Sequence, residues 1–534
     1  MQTENTIPIV VGVTGHRAIR PGDRAALFTA IKTELAKLRD FCPHSPILML
    51  SSLAEGGDLL CADAAEELGI SLVAALPMER KTYELDFSEE ALLRFAHHCA
   101  RAEQVFVAPA TEAIPEVGPN QDFGYRQAGI YVAAHCHVLL ALWDGGPGTA
   151  AACGTAETVD FALRGSYFPA RGVSLRSDSN EAVLHVFTPR GERTEEAAGT
   201  VHALGNWEKL REILARTDSF NALAAEQQTQ GTDLLPADHA DDPLLVRMEQ
   251  IYQAASAISG AAAKKYRQVL AGLAIASMLL TMAFLLYDEA EAHWMILLCG
   301  AILLAAWGCR RFAVRSDCHR LYLECRALAE SLRVQAYLRY AGSGIQAADH
   351  LSWTQQEETA WIMDALCVLV IGQAPTQSHD IRECWAEGQR KYHQWACGRA
   401  LQNYRVSERV VQTALGLSIV LYLAAVVYEL LCGGLFFPSR LFVSDVEIYR
   451  TLLKLLLGSI SAITLFISNY YGRLSLPRQL SDHRKMERFY RKMHEQLELH
   501  GQTDALLAVL AREELIENGN WHSYQRDNTP DISL

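Results

Sequence analysis

From Pro8 to Asp144 short apolar runs alternate with amphipathic stretches: IVVGVT, then Arg24 to Arg39; ILMLSS, then Leu59 to Leu68; SLVAALP, then Glu89 to Arg101; QVFVAP, then Tyr125 to Ala134; and HVLLALW. Runs of β-branched and apolar residues separated by helical stretches predict βαβ units and a parallel sheet buried on both faces, an α/β Rossmann-like domain. A further strand is predicted over Ala182 to Arg190, AVLHVFTPR. The polar, mixed segment from about Gly191 to Asp242 reads as short helices and a linker.

The second half has a different pattern. Apolar runs cover Val269 to Tyr287, Trp294 to Cys309 (extended by Phe312 and Ala313), Val410 to Leu431 and about Leu452 to Tyr471. Each matches the roughly 30 Å of hydrocarbon that a spanning helix must cross. The expectation is an all-α transmembrane domain of four spanning helices, arranged as two hairpins, with long cytosolic helices. Lys264, Lys265, Arg267, Arg310, Arg311 and Arg315 flank the first pair on one side, and Arg405, Arg409, Arg473 and Arg478 flank the second, while Arg440, Arg450 and Lys454 dilute that asymmetry. The basic side is expected to be cytosolic. The opening MQTENTIPIVVGVTGHR has no basic n-region or long apolar stretch, so both termini are expected in the cytosol of a multi-pass protein of the inner (cytoplasmic) membrane.

The expected division is 1–192 ligand domain, 193–243 linker, 244–342 first helical module, 343–400 helical connector, 401–505 second module and 506–534 tail. Lys265-Tyr266-Arg267 and Asn403-Tyr404-Arg405 lead into the hairpins, and Ser316-Asp317-Cys318-His319-Arg320 and Ser481-Asp482-His483-Arg484 follow them, the signature of a duplicated module. A net charge of −14 argues against nucleic acid as a partner. The 13 cysteines have no CxxC pairing, which fits reduced thiols and no metal site.

The candidate chemistry gathers at strand ends. Gly12-Val13-Thr14-Gly15-His16-Arg17 follows the first strand and could either close a βα corner or bring backbone amides and Arg17 to a phosphate. Ser51-Ser52-Leu53-Ala54-Glu55-Gly56-Gly57-Asp58 follows the second; Glu55 and Asp58 could each be a ribose-hydroxyl ligand or an N-terminal helix acid, and the reading adopted is the first for Glu55 and the second for Asp58. Trp143-Asp144-Gly145-Gly146 and Gly154-Thr155-Ala156-Glu157 follow the fifth, and Tyr125 and Arg126 could add an aromatic face and a phosphate fork. His135-Cys136-His137 is read as packing on an apolar strand, and His97-His98-Cys99 as a helix straddling a boundary. In the fourth span Lys454, Gly458, Ser461, Thr464 and Ser468 form one stripe suited to helix packing or a pore wall.

The GVTGHR, SSLAEGGDLLCADAA and WDGGPG…GTAETV segments resemble the SLOG superfamily over roughly residues 7 to 190. That superfamily includes DNA-processing A proteins, Lonely-guy phosphoribohydrolases and the ligand domain of TRPM-type channels. The resemblance implies a nucleotide-derived ligand, such as a cyclic ADP-ribose isomer or a cyclic oligonucleotide, with no other cofactor. The paired helices resemble the SLATT family of two-helix membrane effectors in bacterial conflict systems, implying a second-messenger-gated, homo-oligomeric channel or membrane-disrupting protein of antiviral defence. Lonely-guy enzymes carry an uninterrupted PGGxGTxxE; here an insertion separates the Gly pair from Gly154-Thr155, so binding is preferred to N-glycosidic cleavage assisted by Glu157. The competing expectation is a membrane-anchored nucleoside-monophosphate phosphoribohydrolase.

Overall fold

The computed structural model describes residues 5–110, 120–146, 154–164, 182–190, 196–227, 234–237, 241–289, 293–431, 446–473 and 476–527. The chain forms two compact units, and the first is assembled from Met1–Ile258, Glu324–Ile381 and Gln502–Ser523. Its α/β part runs β1 (Ile9–Gly15), α1 (Arg24–Phe41), β2 (Ile47–Ser51), α2 (Gly57–Glu67), β3 (Ser71–Leu76), α3 (Arg80–Tyr83), α4 (Glu89–Arg101), β4 (Gln104–Val107), α5 (Gln121–Ala134), β5 (Val138–Trp143), α6 (Thr155–Arg164), β6 (Ala182–Phe187), β7 (Val201–Gly205) and α7 (Trp207–Ala225).

Among the described residues seven strands form one sheet in the order β4-β3-β2-β1-β5-β6-β7. All neighbours are parallel except β7, which runs antiparallel to β6. Gly12 of β1 pairs with Leu50 on one side and Leu139 on the other, so successive strands are laid outward from β1 in both directions. The gap between β1 and β5 is therefore the switch point, where the crossovers from the two strands depart to opposite faces. Residues at the centre of β1, β2 and β5 are buried whichever way they point, which is why these strands read as continuous apolar runs.

The segment read as short helices and a linker holds β7 and the 19-residue α7 instead. Asn206 caps α7 by accepting from the Lys209 amide at 3.1 Å. Asn221, buried on α7, accepts from the Ile7 amide at 2.8 Å and donates to the Ile7 carbonyl at 2.8 Å and to Ser45 Oγ at 2.9 Å. This buried amide is satisfied on both ends and fixes α7 to the chain entering β1.

Downstream come α8 (Pro243–Glu289), α9 (Met295–Ser316), α10 (Cys318–Tyr340), α11 (Trp353–Glu358), α12 (Ala360–Leu369), α13 (Gly388–Leu431), α14 (Val446–Arg473), α15 (Leu476–His500) and α16 (Asp504–Asp527). Within the first unit α12 is buried along its whole length. The stretch taken as a C-terminal tail is largely α16, held there by Arg333 Nε donating to Glu514 Oε1 at 2.9 Å and Asn518 Nδ2 donating to the Ala327 carbonyl at 3.2 Å.

The second unit comprises Ser259–Leu323, Arg382–Gly501 and Tyr524–Leu534. Three helical stretches, Pro243–Asp288, Met295–Tyr340 and Arg382–Tyr428, are long and apolar enough to cross a bilayer, and at most 17% of the apolar window of each is covered by protein. The fourth expected run lies in α14, which is not among the three; its side chains from residue 467 onward lie outside the described residues. Asp317, at φ 45°, separates α9 from α10. Tyr266 of the first expected repeat packs against His319 (4.4 Å between ring centroids), whereas His483 of the second faces Tyr392 (6.4 Å). Tyr404, expected as the second copy, instead donates to Glu408 Oε1 one turn along its own helix.

Candidate functional site

The loops after β1 and β2 fold onto each other through their glycines. A Cβ on Gly15 would lie 2.9 Å from Gly57 Cα, and the Gly57 amide donates to the His16 carbonyl at 2.9 Å. Gly56 sits at φ +94°, where a Cβ would overlap the carbonyl oxygens of His16 and Arg17. Loop-to-loop packing alone therefore requires Gly15, Gly56 and Gly57. Ser51 Oγ donates to Asp58 Oδ2 at 3.0 Å and accepts from the Leu53 amide at 2.9 Å, so the helix acid is anchored back to the strand it follows. Burial pushes the Asp58 carboxyl up to about 7, against hydrogen bonds from Ser51 and the Ala54 and Ser52 backbone that pull it down. Glu55 faces α4: it accepts from Ser88 Oγ at 2.7 Å and from the Ser88 amide at 3.2 Å, and Ser88 is the residue that caps α4.

Across the switch point the β1 and β5 loops are joined by His16. Its amide donates to the Leu142 carbonyl at 3.0 Å, and its Nε2 receives the Asp144 amide at 3.0 Å and lies 3.2 Å from Asp144 Oδ1. Its Nδ1 meets the Arg190 guanidinium, whose Nε is 3.4 Å from Asp144 Oδ2. Donors thus face both ring nitrogens of a group that, when neutral, has one acceptor. Burial, then the Arg190 charge, lowers the His16 pKa against the opposing pull of Asp144. Burial opposes ionisation of Asp144, but the Gly146 amide (3.1 Å from Oδ1), His16 and Arg190 outweigh it and hold the carboxyl below its ordinary range. Gly145 makes this turn at φ +77°, and Trp143 Nε1 closes it by donating to the Gly146 carbonyl at 3.0 Å.

The rim continues onto α5 and α6. The Arg17 guanidinium lies 4.8 Å from the centre of the Tyr125 ring and 3.8 Å from Asp86, to which the Tyr125 hydroxyl also donates. The next residue, Arg126, pairs with Glu157 of α6 at 3.5 Å and lies over the Phe161 ring at 5.6 Å. Thr155 is buried in the first turn of α6, whose Glu157 amide bonds the Gly154 carbonyl at 3.0 Å. The rim therefore consists of three contact groups near the carboxyl ends of the strands: Arg190 with Asp144 and His16, Arg17 with Tyr125 and Asp86, and Arg126 with Glu157. Thr14, near the end of β1 before the loop, and Ser52, directly after β2, are half-buried.

Among the sequence candidates Glu55 is turned toward Ser88 and the Tyr125 hydroxyl toward Asp86 by their hydrogen bonds. Arg190 and Asp86 belong to the rim and were missed; Arg190 follows a strand, the same signal that marked Arg17. His135, Cys136 and His137 form the connection into β5 and diverge: His135 Nδ1 lies 2.8 Å from the Tyr131 carbonyl, while His137 Nδ1 accepts from the Val10 amide at 3.0 Å. In α14 a Cβ on Gly458 would lie 2.6 Å from Leu285 of α8, so this position is a close helix contact. Thr464 Oγ1 bonds the Ile460 carbonyl at 2.7 Å, Lys454 and Ser461 are exposed, and the Ser468 side chain lies outside the described residues. No family model and no curated protein matches this chain.

Proposed function

We propose that the chain is a membrane effector gated by a nucleotide-derived ligand, as its likeness to SLOG and SLATT proteins implies. The observation that carries the reading is the set of strand-end contact groups around the β1/β5 switch point, which contain Arg17, Arg126 and Arg190. Open parallel sheets take ligands at this position, and guanidinium groups match phosphate oxygens geometrically. A cyclic ADP-ribose isomer or a cyclic oligonucleotide offers both the anionic groups for the arginines and a base for the Tyr125 ring. In this reading four helices span the inner membrane, with both termini cytosolic, and several copies form the channel or membrane lesion of an antiviral response. α8 supports the coupling, since one uninterrupted helix carries the chain from Pro243 through the first apolar run. A ligand acts by its differential affinity for the resting and the open state.

The test is dye and ion release from liposomes holding the full-length protein, titrated with candidate cyclic nucleotides. Release is expected for a ligand that binds, and the Arg17→Ala/Arg190→Ala pair weakens both binding and release at least tenfold. A ligand that binds tightly through these arginines without any release sinks the gating. The 3.5 Å Arg126–Glu157 pair favours a second reading, a phosphoribohydrolase in which the arginine holds phosphate and the carboxylate assists glycosidic cleavage. It predicts free base released from nucleoside monophosphates by the wild type and none by Glu157→Gln.

A further inference from the structure

The sequence reading left His97 and His98 as boundary residues of a helix. In the structure they face Glu66 of α2, and one ligand atom from each of the three side chains lies within 4.8 Å of the other two. Glu66 Oε2 is 3.0 Å from His97 Nε2 and 3.7 Å from His98 Nδ1. Tetrahedral coordination with bonds of about 2.0–2.1 Å puts neighbouring ligand atoms about 3.3 Å apart, a value these two separations bracket.

The remaining polar side-chain atoms of Glu66 and His98 are already engaged. Arg101 binds the other oxygen of Glu66, Oε1, which also lies 3.2 Å from His97 Nε2. His98 Nε2 donates to Asp63 Oδ1 at 2.8 Å, and Arg94 holds Asp63 Oδ2. With its Nε2 carrying the proton, His98 presents Nδ1 as a lone pair toward Glu66. A carboxylate behind the imidazole and a cation behind the carboxylate are the outer partners that fix ligand orientation in protein metal sites. The environment is also accessible: His98 is buried, but the His97 side chain is 54% exposed, which leaves room for a water or a fourth ligand from solvent. The three positive groups nearby, Arg24, Arg94 and Arg101, are each within ion-pair distance of Asp63 or Glu66.

We propose that Glu66, His97 and His98 form a binding site for a borderline divalent transition ion of the zinc class, which cross-links α2 to α4. Two imidazoles and one carboxylate suit zinc or cobalt rather than calcium or magnesium, which take oxygen ligands. The site clamps α4 to the helix that starts at Gly57. It is independent of the nucleotide reading, because none of its three ligands belongs to the rim.

Cobalt(II) titrated into the metal-stripped full-length protein in detergent reports the site directly. One equivalent per chain is expected to bind with the visible absorption of a four- or five-coordinate nitrogen–oxygen site and without a near-ultraviolet thiolate charge-transfer band, which separates it from binding at cysteines. His97→Ala alters a largely exposed side chain and is expected to abolish this spectrum while the far-ultraviolet circular dichroism is retained; Asp63→Asn is expected to weaken zinc binding by roughly 10–100-fold in competition with a chromophoric chelator. Zinc is also expected to raise the melting temperature of the wild type and not that of His97→Ala. Absence of a stoichiometric cobalt spectrum, a spectrum dominated by thiolate, or binding unchanged in His97→Ala each overturns the proposal.

Discussion

Two sets of leucines in this chain live in opposite surroundings. Leu139, Leu140 and Leu142 of β5 are at most 1% exposed, whereas Leu297 and Leu304 of α9 are 77% and 70% exposed. The sheet strands are short enough for flanking helices to cover them on both faces. The helices of the second unit carry apolar runs several times longer, and few of those side chains are buried. A run of such residues does not itself say whether protein or lipid will cover it; its length does. Contiguous exposed apolar surface of this extent marks a site that something else must cover.

The sharpest way to break this contrast is to place the same charge in both settings. Leu140→Asp buries an unpaired carboxylate in the sheet and is expected to cost at least about 4 kcal/mol, unfolding the first unit in a denaturant titration. Leu304→Asp is expected to leave that unit folded and to cost about 3 kcal/mol of membrane insertion, read as a loss of the membrane-integrated fraction after carbonate extraction. If Leu304→Asp integrates as well as the wild type, lipid does not surround that helix face.

A smaller effect is expected at Gly458. Gly458→Leu overpacks the contact with Leu285 and should destabilise helix association by about 2 kcal/mol, measured as a lower melting temperature in detergent with unchanged insertion. An unchanged melting temperature would mean the two helices do not meet there.

The smallest expected effect concerns Asp58. A carboxyl whose folded pKa is raised contributes stability that is fully present below the ordinary range near 4 and is lost as pH rises through about 7. Between one pH unit below and one above that value the loss is about 1.4 kcal/mol. Asp58→Asn, which cannot ionise, should flatten the stability profile over this window, and a profile as steep as the wild type's would place the titration elsewhere.

Strands β1, β2, β3 and β5 are legible in the sequence because two-sided burial leaves an uninterrupted apolar signature, whereas the edge strand β4 is legible from its short apolar run although Val105 and Val107 are exposed. β7 is not, since its sequence VHALG lies on an edge with mostly uncovered side chains and gives neither an apolar run nor a clean alternation. α7 was obscured by the polar residues Asp218 and Asn221, whose burial makes sense only once their partners Ser45 and Ile7 are brought close by the fold. The glycine motifs lie at strand ends, but what they do there was only half legible: Gly15, Gly56 and Gly57 are needed where two segments touch, a contact between residues some forty positions apart. Arg190 carried the strand-end signal, whereas Asp86 entered the rim through tertiary contacts alone. The Glu66–His97–His98 group was invisible for the same reason, since one ligand is on α2 and the others are on α4.

The first unit's discontinuity along the chain has a bearing on biosynthesis. Its last segment, Gln502–Ser523, supplies Leu510, Ala511 and Leu515 to a buried interior, yet it leaves the ribosome only after every apolar run has been made. An early intermediate can form the parallel sheet, but its final packing must wait until the long apolar helices have been synthesised. A nascent chain that stalls or is cut between these events keeps an unfinished surface on its earliest-made part, so a protease can tell it from the finished protein.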